Sequence, residues 1–366
     1  MKKTLAILLV LVMTLSLVAC GGSKDEAAEN GTYEITVNGK TYTTSVDPAS
    51  INIACSVYQQ DAHQSLLRQA AIDCAEAYGV NILTTVTDSD VAKELEFLST
   101  CTSQETDGYI WAPCGTASVA PLSEAREAGA VVTIINGLPS SDEYPAPWEL
   151  FDGSFYNSNE SMCVTLGEEV KAPLEQVFAE EIAAGATLKV GVIAFDALSK
   201  EISDVRANAT LDQLTALGLN YEVVSRQDAV EQDKAIEVST DMLTANPDLD
   251  LFVSCCESAS IGAMMTIANE GLVGSCYVAG IDTSVQIAKL MRDYPGVGLA
   301  FVGQSSYDSG WNACEQVIWK LLGIEEATVA AQVGVENIQP NMVLNMLDED
   351  GVNGYIDEMA ALGITG

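Results

Sequence analysis

The sequence predicts an α/β protein of two similar domains, each a mostly parallel sheet with helices on both faces. Three observations predict it. Short apolar runs such as Tyr109-Ile110-Trp111-Ala112 alternate with amphipathic stretches of helical length. A helix–Gly–strand punctuation recurs in AYGVNI, EAGAVVT, ALGLNYEVV and NEGLVGSCYVAG. A segment rich in Pro and aromatics, Tyr144 to Asn159, divides the alternation into two series of like order. At 366 residues there is room for two ordinary domains.

Met1 to Ala19 has the charged start (Lys2, Lys3), apolar stretch and small residues of a secretory signal. Ser23 to Asn30 is polar and acidic, a flexible tether. Thr32 to Thr44 alternates around Asn38-Gly39, which predicts a hairpin, a small appendage ahead of the body. The body opens with a buried strand, Ile51 to Val57. Leu67, Ala70, Ala71, Cys74, Ala75 and Tyr78 then line one stripe of a helix stopped by Gly79. Val80 to Val86 is a strand and Val91 to Leu98 marks a helix. Tyr109 to Ala112 follows, then a helix with Ser118 as N-cap and Gly129 at its end, then the strand Ala130 to Ile135. After the interruption come a helix from Met162 to Ala179 and the strands Leu188–Phe195, Tyr221–Ser225, Leu249–Ser254, Cys276–Ile281 and Gly298–Val302. Helices lie between them, and the last runs from Asp308 to Leu322.

Composition narrows the function. With 52 acidic and 16 basic residues the net charge is -36, which excludes nucleic acid and anionic membrane surfaces as partners. Most of the ten cysteines sit in apolar runs and read as reduced, buried thiols. The single histidine and the absence of any Cys-x-x-Cys pair predict no metal site and no cofactor. There is no GxSxG, P-loop or GxGxxG, so catalysis is not expected.

Leu17-Val18-Ala19-Cys20-Gly21 resembles a bacterial lipobox, which implies lipidation of Cys20 and an extracytoplasmic, membrane-anchored chain. Lipobox, tether and two serial α/β domains together resemble the solute-binding lipoproteins of ABC transporters. Four segments resemble the type I, ribose-binding protein-like sugar family, more specifically in fold than in ligand: Thr106 to Gly137, Leu251 to Met265, Val278 to Asp282 and Phe301 to Gln304. The resemblance implies a type I periplasmic binding protein fold with three crossings between lobes, near Asn136, Gln304 and Ala331. The N-terminal lobe would then comprise residues 51–135 and 305–331, and the C-terminal lobe 136–304 and 332–366. It implies a monomer that captures a small polar ligand, a sugar or sugar-like solute, by closing its hinge and delivers it to an ABC permease. A binding protein reporting to a membrane receptor or histidine kinase is the alternative. Repressors share these domains but carry a helix-turn-helix where this chain carries a secretion signal.

The same resemblance assigns the ligand contacts. Asp61, His63 and Gln64 follow the first strand, where relatives carry a polar residue and then aromatics, and Tyr58 would supply an aromatic face. Asn136 ends a strand at the sheet edge. In the second lobe either Arg206 or Asp204 holds the position of a family arginine. Cys256 and Glu257 stand where relatives carry Asn and Asp, and Asp282 and Gln304 match best. Gly115 replaces a family carboxylate.

Overall fold

The computed structural model describes residues 31–60, 62–137, 141–324 and 336–365. The signal, the tether, Cys20, Asp61 and Ala331 lie outside the described residues. The described residues open with an antiparallel hairpin, β1 (Tyr33–Val37) and β2 (Lys40–Thr44), turning at Asn38 and Gly39 with positive φ at both. It is more than an appendage. Ile35, Val37 and Tyr42 are buried against Tyr78 and Trp319 of the first lobe, and the Thr44 hydroxyl donates to the Leu322 carbonyl at 2.6 Å.

Five strands follow: β3 (Asn52–Val57), β4 (Asn81–Val86), β5 (Gly108–Trp111), β6 (Val131–Ile135) and β7 (Gly153–Tyr156). The second series is β8 (Thr187–Ala194), β9 (Asn220–Asp228), β10 (Leu251–Ser254), β11 (Tyr277–Ile281) and β12 (Gly298–Gln304), and two further strands come last, β13 (Glu336–Ile338) and β14 (Asn341–Asn345). They form two six-stranded sheets. The first has the order β13-β7-β6-β5-β3-β4 and is parallel throughout. The second has the order β14-β12-β11-β10-β8-β9, with only β14 antiparallel.

Alternation along the buried strands sends side chains to two helix layers. In the first lobe Ile53, Cys55, Val57 and Ile110 face helices Ala62–Tyr78 and Ser306–Leu322, while Ala54, Tyr109, Trp111, Val132 and Ile134 face helices Val91–Ser103 and Val119–Glu127. In the second lobe Ile193, Phe252, Val278 and Phe301 pack under helices Gln232–Ala245, Glu257–Asn269, Val285–Asp293 and Glu349–Ala361. Val192, Val253, Ile281 and Val302 pack under helices Asn159–Val177 and Asp196–Ala216. Asp90, Ser158 and Ser284 cap their helices through side-chain oxygens. Ser118 occupies an N-cap position but is buried and makes no capping bond, because a short 3-10 turn, Thr116–Ser118, leads into the helix.

Strand membership moves two of the expected crossings. Ile135 pairs with Phe155, so Asn136 stays inside the first lobe and the chain leaves it only after Tyr156. The Pro-rich interruption looked like the break between lobes, yet it carries the first lobe's fifth strand. The third crossing falls at Gln339-Pro340, because β13 still pairs with β7 while β14 pairs with β12. The second crossing follows Gln304. The nine cysteines of the described residues are free thiols, seven of them buried.

Candidate functional site

All three crossings leave from the carboxyl ends of strands, namely β7, β12 and β13. The carboxyl edges of both sheets therefore lie on the side of the crossings, and such edges are where open α/β sheets bind ligands.

On the first lobe the edge is organised by a chain of hydrogen bonds. Tyr58 follows β3, His63 lies in the first turn of its helix, and Asn136 follows β6 with φ of 62°, a left-handed conformation that Asn tolerates. The Asn136 Nδ2 donates to the Tyr58 hydroxyl at 2.7 Å, which fixes the orientation of the amide. Its Oδ1 then faces His63 Nε2 at 2.6 Å. A carbonyl oxygen only accepts, so Nε2 carries a hydrogen. His63 Nδ1 meets the Ser306 hydroxyl at 2.6 Å, and in the neutral imidazole it accepts a hydrogen bond that the hydroxyl donates. Behind the next loop Glu94 is completely buried. It accepts from Trp111 Nε1 at 2.7 Å and from the Cys114 backbone N–H at 3.2 Å, while Cys114 Sγ contacts the Thr87 hydroxyl at 2.9 Å. This pins the loop carrying Gly115, where the Cβ of another residue would meet open space.

On the second lobe the edge centres on Arg206. Its Nε donates to Asn159 Oδ1 at 2.8 Å and its Nη1 to the Cys255 carbonyl at 2.8 Å, with Asp282 Oδ2 at 3.4 Å. The guanidinium lies 5.4 Å from the centroid of the Phe195 ring. Asp282 also accepts from the Glu257 backbone N–H at 3.2 Å and adopts φ of 77°. One carboxylate and one guanidinium, both part-buried, are thus held with donors and acceptors at the strand ends.

The model of the Periplasmic binding protein domain matches residues 53–326. The chain belongs to that family. This is a family of solute-binding transport components rather than enzymes. A curated relative, the ABC transporter periplasmic-binding protein YphF of Escherichia coli (strain K12), is 24% identical over 236 residues, covering 62% of this chain and 67% of that protein. Among solved structures, a solute-binding protein from Actinobacillus succinogenes with bound D-allose superposes with a TM-score of 0.63 at 17% identity, over 84% of this chain and 100% of that one. One from Agrobacterium radiobacter in complex with D-arabinose gives a TM-score of 0.60 at 16% identity, over 84% and 99%. The arabinose-binding protein AraP of Geobacillus stearothermophilus gives 0.60 at 14%, over 83% and 99%. These structures share the periplasmic binding protein fold with this chain.

Within that fold the expected contacts separate. Tyr58, His63 and Asn136 come together on one edge, and Arg206, Asp282 and the Glu257 backbone on the other. Arg206, not Asp204, holds the position beside Asp282. Asp204 instead takes the Lys200 ammonium at 2.8 Å and lies 2.8 Å from Arg226 Nη2. The lysine holds its carboxyl below the usual range, as Arg226 does for Asp196. Gln64 is completely buried, because the helix begins at Ala62 and turns position 64 inward. Cys256 caps helix Glu257–Asn269 by position and directs its Sγ to the Ala229 carbonyl at 3.6 Å, and burial pushes its thiol pKa up. Gln304 ends β12, half-buried at the second crossing. Sequence reasoning missed Asn159, Phe195 and Ser306. Each stands at an element's end, where one residue's shift in the boundary decides which way the side chain points.

Proposed function

We propose that this chain is the extracytoplasmic binding component of an ABC importer and that, as a monomer, it captures a sugar or sugar-like solute between its lobes. The observation that carries the reading is the pairing of Arg206 with Asp282 at the carboxyl edge of one sheet, opposite the Tyr58–Asn136–His63 chain at the edge of the other. Neighbouring hydroxyls of a sugar both donate and accept, which suits a guanidinium and a carboxylate held side by side. Tyr58 and Phe195 offer aromatic faces for the ring's C–H surface. Asp61, Glu257 and Gln304 complete the proposed contact set. Contacts from both lobes form together only on closure, so the ligand biases the hinge by its preference for the closed form.

Heating the purified chain with a panel of aldopentoses and aldohexoses tests the sugar reading. A ligand present at 100 times its Kd stabilises the folded state by about 2.7 kcal/mol and raises the melting temperature accordingly. A panel without any shift overturns the simple-sugar reading. Delivery to a permease is tested by solute uptake in cells, abolished when this chain is deleted. We further propose that Cys20 carries a lipid anchor after removal of residues 1–19. Palmitate labelling of cells, lost in Cys20→Ala, is the expected result.

A further inference from the structure

We infer that Asn157 is the positioning residue of the hinge, a single amide that ties all three crossings into one pivot. It is the first residue after β7, within the first crossing, and it is more than nine-tenths buried. Its Oδ1 accepts from the backbone N–H of Ser305 at 3.2 Å, with the Ser305 hydroxyl at 3.5 Å, and this joins the first crossing to the second. Its Nδ2 lies 2.9 Å from the Gln339 carbonyl, 2.8 Å from the Pro340 carbonyl and 3.0 Å from Asn341 Oδ1, which joins the first crossing to the third. Two amide hydrogens are thus shared among three acceptors.

The node also reaches into each lobe. Gln339 Oε1 takes the amide of Asn312, on the first lobe's helix Ser306–Leu322, at 2.8 Å. Asn341 Nδ2 donates to Ser161 Oγ at 2.9 Å and Thr165 Oγ1 at 2.8 Å, both on the second lobe's helix Asn159–Val177. Only a short side chain with an acceptor and two donors on one plane fits these partners. A carboxylate would keep the bond to Ser305 and turn an oxygen toward two carbonyls. A glutamine would carry its amide one methylene too far. With the amide in place the three strands of the hinge turn together, and the lobes start closure from one set angle. Without it each crossing bends by itself. The inference rests on the three-crossing architecture and not on the identity of the solute, so it is tested on the ligand-free chain.

The experiment compares the parent with Asn157→Ala and Asn157→Asp, by amide hydrogen exchange at Ser305 read by NMR and by small-angle X-ray scattering. In the parent the Ser305 N–H is protected. Asn157→Ala accelerates its exchange by about tenfold or more and broadens the distribution of interlobe distances. Asn157→Asp leaves Ser305 protected yet broadens that distribution, because only the third crossing is released. An unprotected Ser305 N–H in the parent overturns the inference. So does a lowered melting temperature in both variants with scattering unchanged, the result a purely structural asparagine would give. Should Asn157→Ala not fold, the parent's exchange and the aspartate variant decide the matter.

Discussion

Replacing Asn136 tests the first lobe's edge, because the position carries two separable contributions. The side chain joins Tyr58 to His63 through bonds of 2.7 and 2.6 Å, and the backbone sits at φ of 62°. Asn136→Gly removes the side chain and leaves the backbone unstrained. Two half-buried hydrogen bonds at ~1 kcal/mol each, partly replaced by water, give an expected loss of about 1–2 kcal/mol. Asn136→Ala removes the same bonds and keeps a Cβ in the left-handed region without the short polar side chain that lets Asn tolerate it, so it should fall below the glycine variant by roughly 1–2 kcal/mol. Urea unfolding of parent and variants reads both numbers from the midpoints, and the melting shift with a bound sugar reads the effect on the cleft. The expected order of stability is parent, Gly, Ala, with the ligand shift reduced in both variants. An alanine variant as stable as the glycine variant refutes the backbone argument. A glycine variant that matches the parent in both stability and ligand shift refutes the role given to the hydrogen-bonded chain.

Other outcomes follow from named contacts. Arg206→Ala should lower stability by about 1–3 kcal/mol, since the Cys255 carbonyl and Asp282 lose a charged donor. It should also abolish the ligand-induced melting shift, and an unchanged shift would remove Arg206 from the site. Gly310→Ala drives a Cβ into the Leu67 carbonyl where helices Ala62–Tyr78 and Ser306–Leu322 cross, and overpacking of this kind costs about 1–3 kcal/mol in a melting or urea experiment. Burial raises the Glu315 carboxyl above the ordinary glutamate value, against the opposing bonds from Tyr78 and Trp311. The folded chain therefore holds that proton more tightly than the unfolded chain. The resulting penalty is absent at acid pH and grows as pH rises from the ordinary value through the raised one. Urea midpoints between pH 4 and 8 should show the parent losing stability relative to Glu315→Gln as pH rises, and the opposite slope would refute the assignment.

How much could be read beforehand depended on how long and how apolar each element is. Runs such as Val131–Ile135 and Leu251–Ser254 are buried throughout and have few other conformations open to them, so both sheets and their helix layers were legible. Gly153–Tyr156 was not. Its four residues follow Pro145 and Pro147, and only pairing with Ile135 and Ile338 makes them a strand. The crossings moved with it. In the site, Asp204 and Arg206 could not be told apart, since residues two apart on a helix point to different faces and Ser199 interrupts the helical backbone just upstream. Gln64 was misplaced for a related reason, because a loop reading gave no inward face. Asn157 carried no pattern at all; its importance lies in partners 148 to 184 residues away in sequence.

The hairpin's docking gives the two lobes unequal mechanical roles. Tyr42 lies against Trp319, with ring centroids 5.6 Å apart, so any tension applied at the N-terminal side is taken up by the first lobe. At the other end of the described residues Leu362 and Ile364 pack with the second lobe's core. The first lobe is then the stator and the second the rotor. A dye pair on the turn at Asn38 and beyond Ile364 would span stator and rotor and report each closing stroke as a change in energy transfer.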